Sequence, residues 1–328
     1  MEIEPLTDPE RPKVSQIFNV PSRFYRSVQL ERDFDDQNAL EHYVVTAAMA
    51  SASTRILRGL QGGSTQRAWR VTGDYGVGKS SFALMLARLL DGKGGADVDR
   101  IAGAIGHGAG SGQRPFLPML VTGAREGLAR AIERGIRNGL SSWGDSLTKQ
   151  QLASISALLS VGSQGRSTFA VDKALTAVRD AATSHGAGVL LIIDELGKLL
   201  EHAAQNPDAE DVFLLQRLAE TSARSGNRPF IVVGLLHQGF QAYAERLPIT
   251  ARHEWDKVAG RFEEIVFDQP LAHTAALISG ALGVGTLPAS LAVEARNAAQ
   301  ATGAMGWLGG QTASATTMDA AKIYPLHP

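Results

Sequence analysis

The sequence predicts an α/β fold, a three-layer arrangement with a mostly parallel sheet between helices. Three observations predict it. A glycine-rich turn, Gly73–Ser80, sits between a strand-compatible stretch and a run of helix formers. Five consecutive aliphatic residues, Val189–Ile193, lead without alternation into Asp194-Glu195, the pattern of a strand covered on both faces. A second apolar run, Pro229–Leu236, also lacks alternation and ends at the polar pair His237-Gln238.

Composition sets the bounds. With 328 residues, 44% of them hydrophobic, the chain can bury one large domain or two smaller ones. A formal net charge of −1 gives no overall basic field, so contact with nucleic acid would need a local patch. Cysteine is absent, which excludes disulfides, thiolate metal sites and cysteine nucleophiles. The acidic, proline-broken start Met1-Glu2-Ile3-Glu4-Pro5 is unlike a secretory signal, and Val189–Ile193 is far too short to span a bilayer. A cytoplasmic protein without membrane partners is expected.

Residues 1–35 carry Pro5, Pro9, Pro12 and Pro21 and read as an extended N-terminal arm. Within it, Phe24-Tyr25-Arg26-Ser27-Val28 suits either an anchor to the core or packing on a nucleotide base, the anchor being favoured. Gln37–Leu60 reads as a helix, ended by Gly62-Gly63-Ser64 before the strand Ala68–Thr72.

The turn that follows has the spacing G-x-x-x-x-G-K-S, and the chemistry explains that spacing. Glycines at 73, 76 and 78 let successive N–H groups point inward at an anion. The helix beyond them offers unpaired donors and a partial positive charge at its N-terminus. Gly73, Asp74, Tyr75, Gly76, Val77, Gly78, Lys79, Ser80 and Ser81 therefore form the expected phosphate cradle. Lys79 would reach the β- and γ-phosphates, and the Ser80 hydroxyl would ligate Mg²⁺. The pattern marks a nucleoside-triphosphate site.

Asp91–Gln113 is glycine-rich and polar and predicts a flexible connection, with His107 a solvated loop residue. Phe116–Thr122 predicts a buried strand and Arg125–Leu140 a helix. Arg125, Arg130, Arg134 and Arg137 on that helix interleave with Glu126 and Glu133, which predicts a self-paired, solvated face over a phosphate-contacting stripe. Residues 141–188 read as helical with a break at Gly162–Gly165.

The run Val189–Glu195 delivers two adjacent carboxylates to a strand's carboxyl end, where ligands sit in open α/β sheets. Asp194 is placed to hold Mg²⁺, and Glu195 to orient or deprotonate an attacking water. Leu196–Glu220 reads as helices around a loop at Gln205–Ala209. His237, with Gln238 as the alternative, lies where a γ-phosphate sensor belongs. Arg261 precedes a short strand in Gly260–Phe267. After Pro270 the chain is alanine-rich and helical.

Taken together, these segments resemble an AAA+-type ATPase module. Gly73–Ser80 resembles its Walker A motif, Ile192-Ile193-Asp194-Glu195 its Walker B, and His237 its sensor 1. Gly260-Arg261-Phe262-Glu263 resembles the segment whose arginine reaches a neighbouring subunit's nucleotide. Two positions depart from the pattern: histidine or glutamine replaces the usual asparagine or threonine sensor, and Val258 stands where many members carry a second arginine. More narrowly, the chain is similar to the N-terminal part of large ATP-binding proteins of BREX-like phage-defence islands. The phrases that carry this are Asp194–Glu201, Gly234–Phe240 and the closing Tyr324-Pro325-Leu326-His327-Pro328.

The resemblance implies an arm over 1–35, an ATPase core over 36–267 and the start of a helical lid over 268–328, cut short as in an N-terminal fragment or truncated gene. It implies ATP and Mg²⁺ as cofactors, and catalytic roles for Glu195, Lys79, His237 and Arg261, with Arg252 an alternative arginine. Adenine is the default base because no N-K-x-D motif is present. It further implies a homo-oligomer, with DNA and other defence-system proteins as partners. ATP hydrolysis driving a larger machine is the leading reading. An ATP-gated switch without turnover is the alternative, and a P-loop kinase the third.

Overall fold

The computed structural model describes residues 18–20, 26–107, 115–165, 168–207, 212–268, 277–278, 281, 283–284 and 289–305. Phe24-Tyr25, the glycine cluster after His107 and the closing Tyr-Pro-Leu-His-Pro phrase lie outside them.

The chain divides into two units. The larger comprises Val28–Glu41 and Ala47–Asp268. In chain order it contains α1 (Leu30–Asp33), α2 (Ala47–Arg58), β1 (Ala68–Thr72), α3 (Lys79–Leu90), α4 (Ala96–Ala104), β2 (Phe116–Thr122), α5 (Leu128–Trp143), α6 (Lys149–Gly165) and α7 (Thr168–Ser184). It continues with β3 (Gly188–Asp194), α8 (Leu196–Gln205), α9 (Phe213–Ala223), β4 (Phe230–Leu236), α10 (Phe240–Ala244), α11 (Ile249–Ala259) and β5 (Glu263–Val266). The smaller unit comprises Met1–Ser27, His42–Thr46 and Gln269–Pro328. Its described elements are a two-residue antiparallel pairing of Phe18–Asn19 with Gly283–Val284, and helix α12 (Ala289–Ala304).

The five core strands form one sheet in the order β2-β3-β4-β1-β5, and every pairing is parallel. Parallel strands need crossovers, and the intervening helices supply them. Strands β2, β3 and β4 are buried along nearly their whole length, as their unbroken apolar runs predict. Pro118 lies in β2, an edge strand, where its missing N–H leaves no ladder bond unmade.

Alternation divides the two faces of the sheet. Val189, Leu191 and Ile193, with Leu117, Met119 and Val121, pack into one cluster with residues of α5, α7, α8 and α9. The alternate residues face α3, whose Phe82, Leu86 and Leu90 are buried. The chain is an α/β/α fold of the P-loop class.

Three local expectations differ. Gln37–Leu60 is helical only over Ala47–Arg58, because residues 37–42 form successive turns. Asp91–Gln113 contains α4, whose Val98, Ile101 and Ala102 form one buried stripe at helical spacing. Gly162–Gly165 lies inside α6 and does not break it.

One buried cation fastens the amino end of β1. Arg67 is 1% exposed, and the oxygens it bonds are carbonyls and a hydroxyl. Its Nε donates to the Gly59 carbonyl at 2.8 Å, Nη1 to Ser225 Oγ at 2.6 Å and the Gly226 carbonyl at 2.7 Å, and Nη2 to the Gln61 carbonyl at 3.2 Å. Replacement by an apolar side chain leaves these acceptors dry. Arg67→Met is therefore expected to lower the unfolding free energy by about 3 kcal/mol, read from the midpoint of a urea titration.

Candidate functional site

The loop Gly73–Gly78 leaves the carboxyl end of β1, between β4 and β5. That is where the strand order reverses and where α/β sheets bind ligands. Gly76 (φ 82°) and Gly78 (φ 92°) are left-handed, a conformation that a side chain would resist. Gly78 caps α3 without a side-chain acceptor, and Phe82 N–H is the first to bond back, to the Gly78 carbonyl at 2.9 Å. The amides before it point out of the helix end as donors. Lys79, 5% exposed, donates from Nζ to the carbonyls of Gly73 at 2.5 Å and Asp74 at 2.7 Å. Val77, Ser80 and Ser81 complete the cradle.

The acidic pair comes from β3. Asp194 is 4% exposed, and its Oδ1 accepts the Glu195 N–H at 2.8 Å. The glycine-rich loop and the acidic pair, more than 100 residues apart, meet here because Lys79 and Glu195 both contact His237. Burial pushes the Asp194 carboxyl above the ordinary carboxylate range, with the Glu195 N–H bond opposing it. Burial pushes the Lys79 ammonium down, opposed by Asp194, Glu195 and Asp74.

Glu195 is the only non-glycine among the described residues with a left-handed backbone, at φ 54°. Such conformations persist where their surroundings over-determine them, and they gather at functional sites. The constraint here comes from β2. Gly123 N–H donates to the Asp194 carbonyl at 2.7 Å, and a Cβ on Gly123 would stand 2.3 Å from the Glu195 carbonyl oxygen. On its other side the Glu195 carboxylate meets Lys198 Nζ at 3.3 Å and His237 Nε2 at 3.1 Å.

His237 closes the arrangement. Its Nδ1 lies 3.2 Å from Lys79 Nζ, and an ammonium can only donate, so Nδ1 accepts. The ring proton then sits on Nε2 and is donated to Glu195. Tyr75, 76% exposed, stacks on the imidazole at 3.5 Å between centroids. Gln238, the alternative sensor, is exposed beside it.

The structure therefore brings together Gly73–Ser81, Asp194, Glu195 and His237. It does not bring Arg261 to them. Arg261 precedes β5, at the amino ends of the parallel strands, about 15 Å of strand away from the loop at the carboxyl ends. It is half-exposed, and its Nη2 lies 3.5 Å from Glu220 Oε1. Arg252 donates to the Leu247 carbonyl at 2.8 Å and to the Glu245 carbonyl, which ties the turn between α10 and α11.

The oxygen donors suit a hard cation. Mg²⁺ keeps several waters and takes one or two protein ligands beside substrate phosphates, and Ser80 with Asp194 is a set of that kind. Among the described residues no group of three or more His, Cys, Asp or Glu gathers as an all-protein metal cage.

No family model matches the chain, and no curated protein matches it. Solved structures do. The Aeropyrum pernix ORC2 protein, in ADPNP–ADP complexes, is 13% identical with a TM-score of 0.46, over 87% of this chain and 71% of that one. The Aeropyrum pernix ORC1 protein in complex with DNA is 15% identical with a TM-score of 0.43, over 83% and 59%. Cdc6p from Pyrobaculum aerophilum is 11% identical with a TM-score of 0.42, over 93% and 63%. Likeness at this distance transfers neither ligand nor partner. The fold stands on the five parallel strands and the loop after β1. Among the described residues no helix is long and apolar enough to cross a membrane.

Sequence reasoning missed Gly123, Lys198 and Tyr243, which contact the acidic pair or its neighbours. Nothing in the sequence marks them, because their roles come from strand register and from helix approach.

Asp194 gives a two-sided prediction. Its ionised form is disfavoured by burial, so it contributes stability below the unfolded pKa that is lost as pH rises through the raised folded value. Asp194→Asn is expected to be more stable than the parent at neutral pH by about 1 kcal/mol, while losing Mg²⁺-dependent nucleotide turnover. Melting temperature followed upward from the carboxylate range should fall in the parent and stay flat in the variant.

Proposed function

We propose that this chain is an ATPase module of AAA+ type that binds Mg-ATP and hydrolyses it. The observation that carries the reading is the meeting of the two motifs through His237, which lies between Lys79 and Glu195. The loop amides and Lys79 hold the β- and γ-phosphates and neutralise charge that develops between them. Ser80 and Asp194 would hold Mg²⁺, which would supply further positive charge beside the phosphates. Glu195 takes a proton from a water whose oxygen attacks the γ-phosphorus. The bond to the bridging oxygen breaks, and ADP and phosphate leave. His237 holds Glu195 through its Nε2, 3.1 Å from Oε1.

Arg261 serves in trans in this reading. Its place at the amino ends of the strands supports a reach toward a neighbouring copy's nucleotide and not toward its own. The machine it drives is proposed to be an anti-phage assembly acting on DNA, on the strength of the phrases shared with BREX-like ATP-binding proteins. A switch reading has its own support, because the Glu195 carboxylate is held at Oε2 by Lys198 and at Oε1 by His237.

Phosphate release measured with Mg-ATP, over a range of protein concentrations and with and without duplex DNA, tests the reading. Turnover per chain that rises with concentration is the expected result. Tight binding without release under every condition would leave the switch reading in its place.

A further inference from the structure

Strand β2 closes one edge of the sheet, and an edge strand carries backbone groups that no neighbouring strand pairs. At its carboxyl end two charged side chains take the place of that strand. Glu31, on α1, accepts the Thr122 N–H at Oε1, at 2.6 Å. Arg134, on α5, donates from Nη2 to the Thr122 carbonyl at 2.7 Å. The two are joined: Arg134 Nε lies 3.6 Å from Glu31 Oε2, which also accepts from Asn138 Nδ2 at 3.0 Å. Arg134 Nη1 donates to Glu126 Oε1 as well. Its neighbours Arg130 and Arg137 pair with Glu126 and Glu133, four residues earlier, while Arg134 reaches the sheet.

The peptide unit that Arg134 holds continues to the acidic pair. Its carbonyl belongs to Thr122 and its N–H to Gly123, and that N–H donates to the Asp194 carbonyl at 2.7 Å. A guanidinium and a β3 carbonyl thus grip one rigid plane from opposite sides. Gly123 then lies against Glu195, where a Cβ would stand 2.3 Å from the carbonyl oxygen. Turning that plane would change what Glu195 rests on at φ 54°.

We propose that Glu31 and Arg134 are positioning residues for hydrolysis: by fixing the Thr122–Gly123 peptide at the open edge of the sheet, they hold the left-handed backbone of Glu195 and so the direction of its carboxylate. This rests on the ATPase reading above. Arginine suits the task because its planar fork meets a carbonyl and two carboxylates at once, which an ammonium on a flexible stem does not. Bonds to charged groups are also the stronger kind, so the peptide is held firmly at a site where β2 has no further strand.

The test is Arg134→Met, which keeps much of the apolar stem and removes the donors. Phosphate release, binding of a fluorescent ATP analogue, hydrogen exchange of the Gly123 amide and the backbone carbon NMR shifts of Glu195, which report its φ and ψ, are recorded beside the parent. The variant should bind the analogue within about twofold of the parent and release phosphate about tenfold more slowly. Its Gly123 amide should exchange about tenfold faster, and the Glu195 carbon shifts should move. Glu31→Leu removes the other half of the pair and should reproduce these effects, which also covers the case that Arg134→Met does not fold. In a Gly123→Ala background, where the added Cβ displaces Glu195 directly, Arg134→Met should slow release no further. A merely structural pair would lower melting temperature and reduce binding and turnover together, while the Glu195 shifts of the folded protein stayed put. Unchanged Glu195 shifts in both variants would overturn the proposal whether or not the parent turns over. Absence of phosphate release by the parent, with the shifts moving as expected, would instead count against the ATPase reading.

Discussion

Lys79→Ala is expected to abolish nucleotide binding. The Lys79 ammonium is nearly buried at the mouth of α3 and lies within hydrogen-bond reach of two loop carbonyls and His237, so it is already aimed where phosphate oxygens would sit. Charge-assisted bonds to phosphate in such a site contribute about 3 kcal/mol or more, equivalent to at least a hundredfold in affinity. The fold should survive, because burial disfavours the charged form of Lys79 and its removal relieves that cost. Melting temperature with and without ATP checks both halves. The parent should gain about 2.7 kcal/mol at a nucleotide concentration of 100 Kd, and the variant nothing at the same concentration. Undiminished binding of a fluorescent ATP analogue by the variant would remove the phosphate-cradle assignment.

Glu195→Gln is expected to do the opposite: keep the nucleotide and stop the chemistry. Glutamine preserves the shape of the side chain, and its carbonyl oxygen can still accept from His237 Nε2–H. It cannot take a proton from water. Loss of a positioned general base lowers turnover by about 10²- to 10⁴-fold. The variant should therefore trap ATP in single-turnover measurements while equilibrium binding stays within a few-fold of the parent. Turnover like that of the parent would take the base role away from Glu195.

The two experiments separate the motifs that the fold brings together, and the contrast shows how much could be read beforehand. Gly73–Ser81 and Asp194-Glu195 were legible because each chemistry needs particular residue types at fixed local spacing. The strands β2, β3 and β4 were legible because double-sided burial leaves runs such as Val189–Ile193 with no polar alternation. The turn-rich segment after Gln37 and helix α4 were not. Their conformations are set by what they pack against, and tertiary context overrides weak local preference. Between His237 and Gln238 the sequence offered no choice, since either polar side chain suits a strand end. The bend after β4 decides it by holding His237 half-buried between Lys79 and Glu195 and leaving Gln238 exposed.

Arg261 shows the limit from the other side. Its motif is visible in sequence, yet only the direction of β5 shows that it stands at the far end of the sheet from its own phosphate loop. Gly123 shows it again, because a Cβ there would stand 2.3 Å from the carbonyl oxygen of Glu195, a residue far along the chain.

By itself the sequence determined where a phosphate cradle, a magnesium-binding pair and a base are to be expected, because those patterns depend on short-range spacing along the backbone. The tertiary structure decided which side chains meet, what holds Glu195 in its left-handed turn and at which end of the sheet Arg261 stands, because those depend on strand order and register, which no local spacing encodes.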